Sequence, residues 1–259
     1  MMEALAIFGR SPAAAAQFTV SEIGGGGDPR QLDFGPLRIW VRPRTTDLKV
    51  VRSCMLGEFD AILAMVRSEH DLIIDAGGYI GITSILFAQK FPKATIVCLE
   101  PNDENYEMAE RNCAPWPNIR VLKCALAPRS GSVMLKDRGT GHWGFTVVDN
   151  DAQGRILRNV GETAAITVDE LLSSCGKSGV DLLKLDIEGG EYALLRDKPA
   201  WIHQCGVIVA EMHDRICPGA TRAFINATEG RTDVWTKGEK RVSIRADLAD
   251  AAAKVDLAV

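Results

Sequence analysis

DLIIDAGGYIGITSILFA, residues 71–88, joins a short apolar run to a glycine-rich turn and an amphipathic segment. The run at 72–74 is typical of a strand buried on both faces of a parallel sheet. Three glycines follow it: Gly77, Gly78 and Gly81. They let the backbone turn tightly and approach a ligand without an intervening Cβ. From Ile82 the apolar residues fall at helical spacing, which predicts a helix whose free N–H groups point at whatever binds in the turn.

A second apolar run, ATIVCLEP at 94–101, predicts the next strand and ends in Glu100. An acid at the end of the second strand of such a unit can accept hydrogen bonds from both hydroxyls of a ribose. The strand, turn, helix and second strand together predict a site for a nucleoside-bearing cofactor.

The identity of that cofactor is indicated by Asp75, which stands two residues before the first glycine. A carboxylate there would repel the pyrophosphate that the G-x-G-x-x-G fingerprint accepts. It suits the ammonium and sulfonium of S-adenosylmethionine (SAM), whose own carboxylate can lie near the helix N-terminus. SAM is therefore the predicted cofactor. NAD or FAD, and a glycine turn with no ligand, stay open as alternatives.

Size and composition are those of an ordinary globular protein of 259 residues, with 46% hydrophobic and 25% charged residues. We expect an N-terminal arm at 1–36 and one α/β domain at 37–259. A net charge of −4 without a long basic run argues against a nucleic-acid partner. Seven scattered cysteines without a C-x-x-C pair, no membrane-length apolar run and no secretion signal favour a reduced, cytoplasmic protein.

Strands alternate with helices along the chain, and the end at 233–245 reads as two strands joined around Gly238. This order predicts a class I methyltransferase (Rossmann-like) fold, a mostly parallel twisted sheet with helices on both faces and a C-terminal antiparallel hairpin strand. IRVLKCALA at 119–127 reads as one strand, and Thr167 or Asp169 begins a helix. The runs at 131–137 and 145–149 are expected to form a hairpin excursion, within a variable segment at 130–159 that shapes the acceptor pocket.

A second cluster of chemistry-bearing residues lies in LKLDIEGGE, residues 183–191. Lys184 and Asp186 share one face of a predicted strand, and Asp186 lies near its carboxyl end, where ligands bind in open α/β sheets. Glu188 and Glu191 follow where the next helix begins. Charged groups there are costly unless they pair or bind something. The structural alternative is that Lys184 pairs with an acid and Glu191 caps the helix.

His213 ends the next predicted strand, one residue after Met212 and on the same face as Glu211. A neutral imidazole there could take a hydroxyl proton, although a histidine satisfied by backbone is an open alternative. Asp186 and Glu188 could ligate a hard cation. No histidine or further acid is placed beside them by spacing, so no metal is predicted. The loop residues His142 and Trp143 are weaker candidates for substrate contact.

These residues resemble the FkbM family of SAM-dependent methyltransferases, and the resemblance covers roughly Arg42 to His213. The motifs that carry it are VRPRTTDLKVV (41–51), DAGGYIGITS (75–84), LEPNDENYEMAERN (99–112), KCALAP (123–128), LKLDIEGGEYALL (183–195) and VAEMH (209–213). The family usually has alanine-asparagine where this chain has Gly78 and Tyr79, a departure that concerns side-chain contacts there and not the fold.

The resemblance implies that Asp75, Gly77 and Gly81 hold the methionine part of SAM, that Glu100 binds the ribose, and that Asn102 and Ala125 flank the adenosine. The full predicted cofactor set is Asp75, Gly77, Gly78, Tyr79, Gly81, Ser84, Glu100, Pro101, Asn102, Ala125 and Asp186. The resemblance also implies O-methylation of a hydroxyl on a small molecule, a sugar or glycan, or a secondary metabolite.

The predicted catalytic residues are Asp186, His213, Glu188 and Lys184. Positioning can supply much of the rate, and a base must accept the hydroxyl proton. Asp186 is the first candidate for that base, then His213, then Glu188, while Lys184 orients an acid. The alternatives are an NAD(P)-binding oxidoreductase and a non-catalytic SAM-binding protein; a base-flipping methyltransferase is disfavoured because an aromatic N/D-P-P-Y loop is absent at Asp186. Monomer and homodimer both stay open.

Overall fold

A computed structural model describes residues 27–34, 37–65, 71–149, 151–154, 156–235 and 238–252. The strands are β1 (Arg30–Asp33), β2 (Arg38–Val41), β3 (Leu72–Ala76), β4 (Thr95–Leu99), β5 (Ile119–Leu122), β6 (Cys124–Leu126), β7 (Gly131–Asp137), β8 (Phe145–Thr146), β9 (Arg158–Ile166), β10 (Val180–Leu185), β11 (Cys205–Glu211), β12 (Thr232–Trp235) and β13 (Lys240–Ile244). The helices are α1 (Asp47–Met55), α2 (Asp60–Met65), α3 (Ile82–Lys90), α4 (Asp103–Cys113), α5 (Val168–Cys175), α6 (Glu191–Leu195), α7 (Ala220–Ala227) and α8 (Ala246–Ala252), with a 3₁₀ turn at Ala200–Gln204.

A seven-stranded sheet forms the centre of the molecule, in the order β12-β13-β11-β10-β3-β4-β5. Strands β5, β4, β3, β10 and β11 run parallel to one another, and β13 runs antiparallel to both β11 and β12. The chain order reverses between β3 and β10, so their carboxyl ends flank the crevice where open α/β sheets bind ligands. The predicted fold, a mostly parallel sheet with a C-terminal antiparallel hairpin strand, is confirmed.

Helices cover both faces of this sheet and divide the core into two clusters. On one face Ile82 and Phe87 of α3 pack with Val51 of α1. On the other face Leu171 of α5 packs with residues of α6 and α7. Thr167, one of the two predicted starts, is the N-cap of α5, because its hydroxyl and the Glu170 carboxylate each accept a hydrogen bond from the other residue's backbone N–H.

A separate four-stranded sheet, in the order β6-β9-β7-β8, stands beside the main one. The predicted hairpin of β7 and β8 is present, but β9 pairs along the whole of β7 and also with β6. The run at 119–127 is two strands rather than one, since β5 belongs to the main sheet and β6 to this one. Most of β9 is exposed, and its sequence lacks the regular apolar alternation that predicts a strand.

The N-terminal hairpin of β1 and β2 crosses the predicted boundary between arm and domain. Leu32 and Phe34 are buried in the same core cluster as Ile39, so these two residues of the predicted arm pack with the domain. The first 26 residues of the predicted arm lie outside the described residues. In the part of the chain that the structure describes, no helix is long and apolar enough to cross a membrane.

Candidate active site

A cavity of about 790 Å³ opens at the carboxyl ends of the parallel strands. Predicted site residues in its wall are Gly77, Gly78, Tyr79, Glu100, Pro101, Ala125, Lys184, Asp186 and Glu188. The others, Asp75, Gly81, Ser84, Asn102 and His213, do not line it. The predicted residues therefore gather at the edge of the sheet that carries the cavity. Some of them form its wall, and the others lie behind it.

The glycine loop is pressed between two strand ends. The backbone N–H groups of Gly77 and Gly78 both donate to the carbonyl of Leu99, at 3.0 and 2.9 Å. Gly77 has a φ of +80°, and a Cβ built there would lie 1.8 Å from the backbone oxygen of Asp186. Only glycine fits this position, because the loop backbone lies against the backbone at the end of β10.

The close packing of the loop at Gly78 gives a testable prediction. A Cβ built on it would lie 2.2 Å from the Cys98 sulfur, while all other atoms are at ordinary contact distance. We expect Gly78→Ala to destabilise the fold, and Cys98→Ala to relieve most of that loss by removing the overlapping sulfur. Chemical denaturation of wild type, both single variants and the double variant should give a favourable coupling energy of about 1–3 kcal/mol. Additive losses would show that the sulfur does not limit this position.

Asp75 lies behind the loop rather than in the cavity. Its side chain has no exposed surface, and Ser84 Oγ donates to its Oδ2 at 2.7 Å. The Nζ of Lys184, on the adjacent strand β10, lies 3.0 Å from Asp75 Oδ1 and donates to the carbonyl of Gly77 at 2.9 Å. The alternative reading of Lys184, that it pairs with an acid, is what the structure shows. Asp75 and Lys184 thus fix the loop backbone from beneath.

Glu100 is the buried acid that does line the cavity. Its carboxylate accepts hydrogen bonds from the backbone N–H groups of Tyr79 and Asn102, at 2.9 and 3.0 Å, and from the Asn105 amide at 3.4 Å. Burial raises the pKa of Glu100 to about 7, although these donors and Lys184 oppose the shift. These hydrogen bonds hold the carboxylate in place, and its charge changes with pH near neutrality.

Tyr79 connects this loop to the N-terminal part of the domain. Its hydroxyl donates to Asp47 Oδ1 at 2.5 Å and lies 2.7 Å from the hydroxyl of Thr46. Arg42 also bonds Asp47, and through a second bond reaches the side chain of Asn105. The motif at 41–51 therefore supports the cavity wall through a buried network, a role that no local pattern in the sequence signals.

The second cluster gathers around His213, which is fully buried. Its Nδ1 lies 2.9 Å from Glu191 Oε1, and Glu191 also accepts the backbone N–H groups of Ile187 and Gly189. Glu191 therefore holds the loop before α6 and orients the imidazole. Neither role is the predicted helix cap, since Gly190 is the N-cap and no side chain caps this helix. The contact with His213 was not predicted because the two residues lie 22 positions apart.

Three carboxylates face the other nitrogen of His213. Asp186, Glu211 and Glu188 each place one oxygen 3.7–3.9 Å from Nε2. Burial alone would lower the pKa of His213, but the Glu191 hydrogen bond and the surrounding carboxylates outweigh it and raise the pKa to about 9. Burial also raises the pKa of Glu188 to about 7, with Asp186 adding to the shift. The sequence had placed neither Glu211 nor His213 beside Asp186, and the structure brings all three together.

The small sheet closes the far side of the cavity. Trp143, Phe145 and Val147 line it, and the Asn105 amide donates to the carbonyl of His142 at 2.8 Å. Arg138, which follows β7, pairs with Glu188 of the cavity wall. The segment predicted to shape the acceptor pocket does line the cavity, and Trp143 is the more exposed of its aromatic residues, at 39%.

Comparison with known proteins matches the Methyltransferase FkbM domain model to residues 75–229, more than half of the chain. Methyltransferase sdnD of Sordaria araneosa is 29% identical over 51% of this chain and 62% of its own length. The 2-O-methyltransferase NoeI of Sinorhizobium fredii is 22% identical over 68% of this chain and 73% of its own. The hexuronic acid methyltransferase AglP of Haloferax volcanii is 22% identical over 69% and 72%.

The chain thus spans less than two thirds of sdnD and somewhat more of the other two. The matched segment includes the glycine loop, Glu100, Asp186 and the strand that ends before His213. The resemblance inferred from the motifs is confirmed, and the oxidoreductase alternative is set aside. This protein belongs to the FkbM family of SAM-dependent methyltransferases.

Proposed function

We propose that the protein transfers the methyl group of SAM to a hydroxyl oxygen of a small molecule, such as a sugar, a glycan or a secondary metabolite. The main support for this proposal is that Glu100, the predicted ribose ligand, and Asp186, the predicted base, line the same cavity. The similarity to NoeI, a 2-O-methyltransferase, and to AglP, a hexuronic acid methyltransferase, supports this acceptor class.

The residues of the glycine loop fit SAM. The cavity volume of about 790 Å³ lies at the upper part of the range for small-molecule sites, so it has room for a cofactor and an acceptor. Glu100 offers a carboxylate for the ribose hydroxyls, and Gly77 and Gly78 leave a wall free of side chains. SAM supplies an activated methyl group when bound. Asp75, predicted from the sequence to contact the cofactor, is proposed instead to hold Lys184 and the loop in place.

The acceptor end combines carboxylates with aromatic surface. Asp186, Glu188 and Glu211 can accept hydrogen bonds from hydroxyl groups, and Trp143 offers a flat apolar face to a ring. This combination suits a hydroxyl-rich ligand better than a nucleic acid, whose phosphates the carboxylates would repel.

Asp186 is proposed as the base that accepts the hydroxyl proton. Its side chain is 33% exposed, against 17% for Glu188 and none for His213. A base must come within hydrogen-bond reach of the proton that it takes, so among the three predicted bases exposure places Asp186 first and Glu188 second. Glu211, which was not a predicted base, lines the same cavity and is 24% exposed. His213 lies behind them and is proposed as a positioning residue.

The proposal is tested by titrating the protein with S-adenosylhomocysteine in a calorimeter and then incubating it with SAM and a panel of sugars, phenols and aliphatic alcohols. We expect saturable binding and a methyl ether detected by mass spectrometry. No binding of S-adenosylhomocysteine would overturn the cofactor assignment. Methyl transfer confined to nitrogen or carbon acceptors would overturn the acceptor assignment alone.

The affinity for S-adenosylhomocysteine should depend on the charge of Glu100. Because burial raises its pKa to about 7, the carboxylate loses its charge as the pH falls through neutrality, and with it the stronger acceptor for ribose hydroxyls. We expect affinity to fall about tenfold between pH 8 and pH 6, measured by calorimetry. Glu100→Gln should bind more weakly at pH 8 and show little of this pH dependence. A wild-type affinity that stays constant over this range would contradict the assignment.

We also propose a reducing location such as the cytoplasm. All seven cysteines are free thiols in the structure, and five of them are buried. Labelling with a membrane-impermeant thiol reagent in intact cells tests this, since protection from it is the expected result.

A further inference from the structure

The imidazole of His213 leaves one nitrogen without a partner. Its Nδ1 is bonded to Glu191, and its Nε2 is a fully buried atom with no hydrogen bond. The nearest carboxylate oxygens are at 3.7, 3.8 and 3.9 Å, which is too long for a hydrogen bond. Buried polar atoms without a hydrogen bond are rare. Because this nitrogen faces three carboxylates, its position indicates a ligand that lies between them.

The three carboxylates are arranged around this nitrogen in the same manner. In each, one oxygen faces a cationic side chain: Lys184 at Asp186, Lys240 at Glu211 and Arg138 at Glu188. The other oxygen of each faces Nε2. The cations therefore fix the outer oxygens, and the inner oxygens converge on one point beside the imidazole.

Charge at this point is unbalanced. Lys184 and Lys240 are each shared with a further acid, Asp75 and Glu58 respectively. Carboxylates in these contacts outnumber cations by six to three, the six being Asp75, Asp186, Glu188, Glu191, Glu211 and Glu58. Asp75 and Glu191 are fully buried and the other four are partly exposed, and anions gathered in such an excess are costly unless a positive charge joins them.

We propose that His213, Asp186 and Glu211 bind a divalent metal ion, with Glu188 as a further oxygen ligand. Ligand atoms of the first three lie within 4.8 Å of one another. Glu191 at Nδ1 is the carboxylate partner that commonly orients a metal-binding histidine. One imidazole with several carboxylates suits Mn²⁺ better than the softer-ligand ions, and imidazole disfavours Ca²⁺.

This ion faces the acceptor end of the cavity, because Asp186, Glu188 and Glu211 all line it. It would bind and polarise an acceptor hydroxyl, a role that rests on the proposed function, whereas metal binding itself does not. Asp186 would hold the ion through the oxygen that faces Nε2 and would remain the base that accepts the hydroxyl proton, so turnover depends on the same residue. The competing occupant is a proton on Nε2, which would leave the imidazolium as the resident cation of the cluster.

The test is Mn²⁺ binding by chelator-treated full-length protein at pH 7.5, followed by electron paramagnetic resonance and calorimetry without SAM or acceptor. We expect one site per chain with a dissociation constant below about 100 μM, and Ca²⁺ at least tenfold weaker. Glu211→Gln and Asp186→Asn should each weaken Mn²⁺ binding at least tenfold. Glu58→Gln is the matched control, since it removes an acid from the same Lys240 without removing a ligand, and should stay within about threefold.

His213→Ala removes a fully buried side chain and can unfold the protein, so the two carboxylate variants carry the test and circular dichroism confirms their folding. No saturable Mn²⁺ binding up to 1 mM by folded wild type, at about ten times the expected constant, would overturn the site and favour the imidazolium. Equal Mn²⁺ affinity in wild type and both carboxylate variants would also overturn it. Binding of S-adenosylhomocysteine, measured in parallel, separates this failure from failure of the proposed methyl transfer.

Discussion

Asp186→Asn is expected to lower kcat for methyl transfer by about 10²–10⁴-fold, because the amide can neither accept a proton nor provide a charged ligand. Its effect on the affinity for S-adenosylhomocysteine should stay within about tenfold, since Glu100 and the glycine loop remain. The backbone oxygen of Asp186, which faces Gly77, is unchanged by the substitution. Single-turnover rates and calorimetry measure the two quantities separately.

Asp197→Asn is the control for this prediction. Asp197 is 83% exposed and pairs only with the neighbouring Arg196 among the contacts described. Its loss of charge should leave kcat and affinity at wild-type values. A rate for Asp186→Asn within twofold of the control would remove Asp186 from the mechanism. A loss of cofactor affinity equal to the loss of rate would instead assign it to cofactor binding.

The glycine loop could be predicted because all of its determinants are contiguous in the chain. The apolar run, the glycines and the helical spacing occupy residues 71–88, and each acts on its own local backbone. The same holds for the terminal hairpin around Gly238 and for the capping box at Thr167. Local rules fixed these elements, so the edge of the sheet that carries the cavity followed from them.

Which predicted residues line the cavity could not be read from the chain in the same way. Asp75 lies behind the cavity wall, where it pairs with Lys184, a residue more than one hundred positions later in the chain. The residues grouped with His213 lie in the loop after β10, at the start of α6 and at the end of β11, and their distances depend on sheet register. A pattern in sequence shows that these groups sit near strand ends, but only packing shows which of them face each other.

The small sheet illustrates a different limit. Strand β9 is mostly exposed, and its side chains show no apolar alternation to set it apart from a loop. Its pairing along β7 is set by backbone hydrogen bonds, with a register shift at Leu135 and Lys136. Tertiary context therefore made a strand where local propensity gave no signal.

Gly77→Ala should have the largest effect on cofactor binding of any single methyl group added to this chain. The new Cβ would lie 1.8 Å from the backbone oxygen of Asp186, and the φ of +80° is strained for alanine. Neither atom belongs to a flexible side chain, so the loop or the end of β10 must move. We expect at least a hundredfold loss of affinity for S-adenosylhomocysteine and a decrease in Tm of at least about 10 °C, measured by calorimetry and thermal unfolding.

Gly230→Ala separates backbone strain from this overlap. Gly230 has a nearly equal φ of +83°, and nothing lies within 4 Å of a Cβ built on it. Gly230→Ala should therefore lose only about 1–2 kcal/mol of unfolding free energy to the left-handed backbone strain, or roughly 2–8 °C in Tm, and keep its cofactor affinity. If both variants behaved alike, the contact between the glycine loop and β10 would not be what holds the loop in place. If only Gly77→Ala loses the cofactor, the close approach of the two backbones is itself part of the binding site, because it fixes Gly78 and the N-terminus of α3 before any ligand arrives.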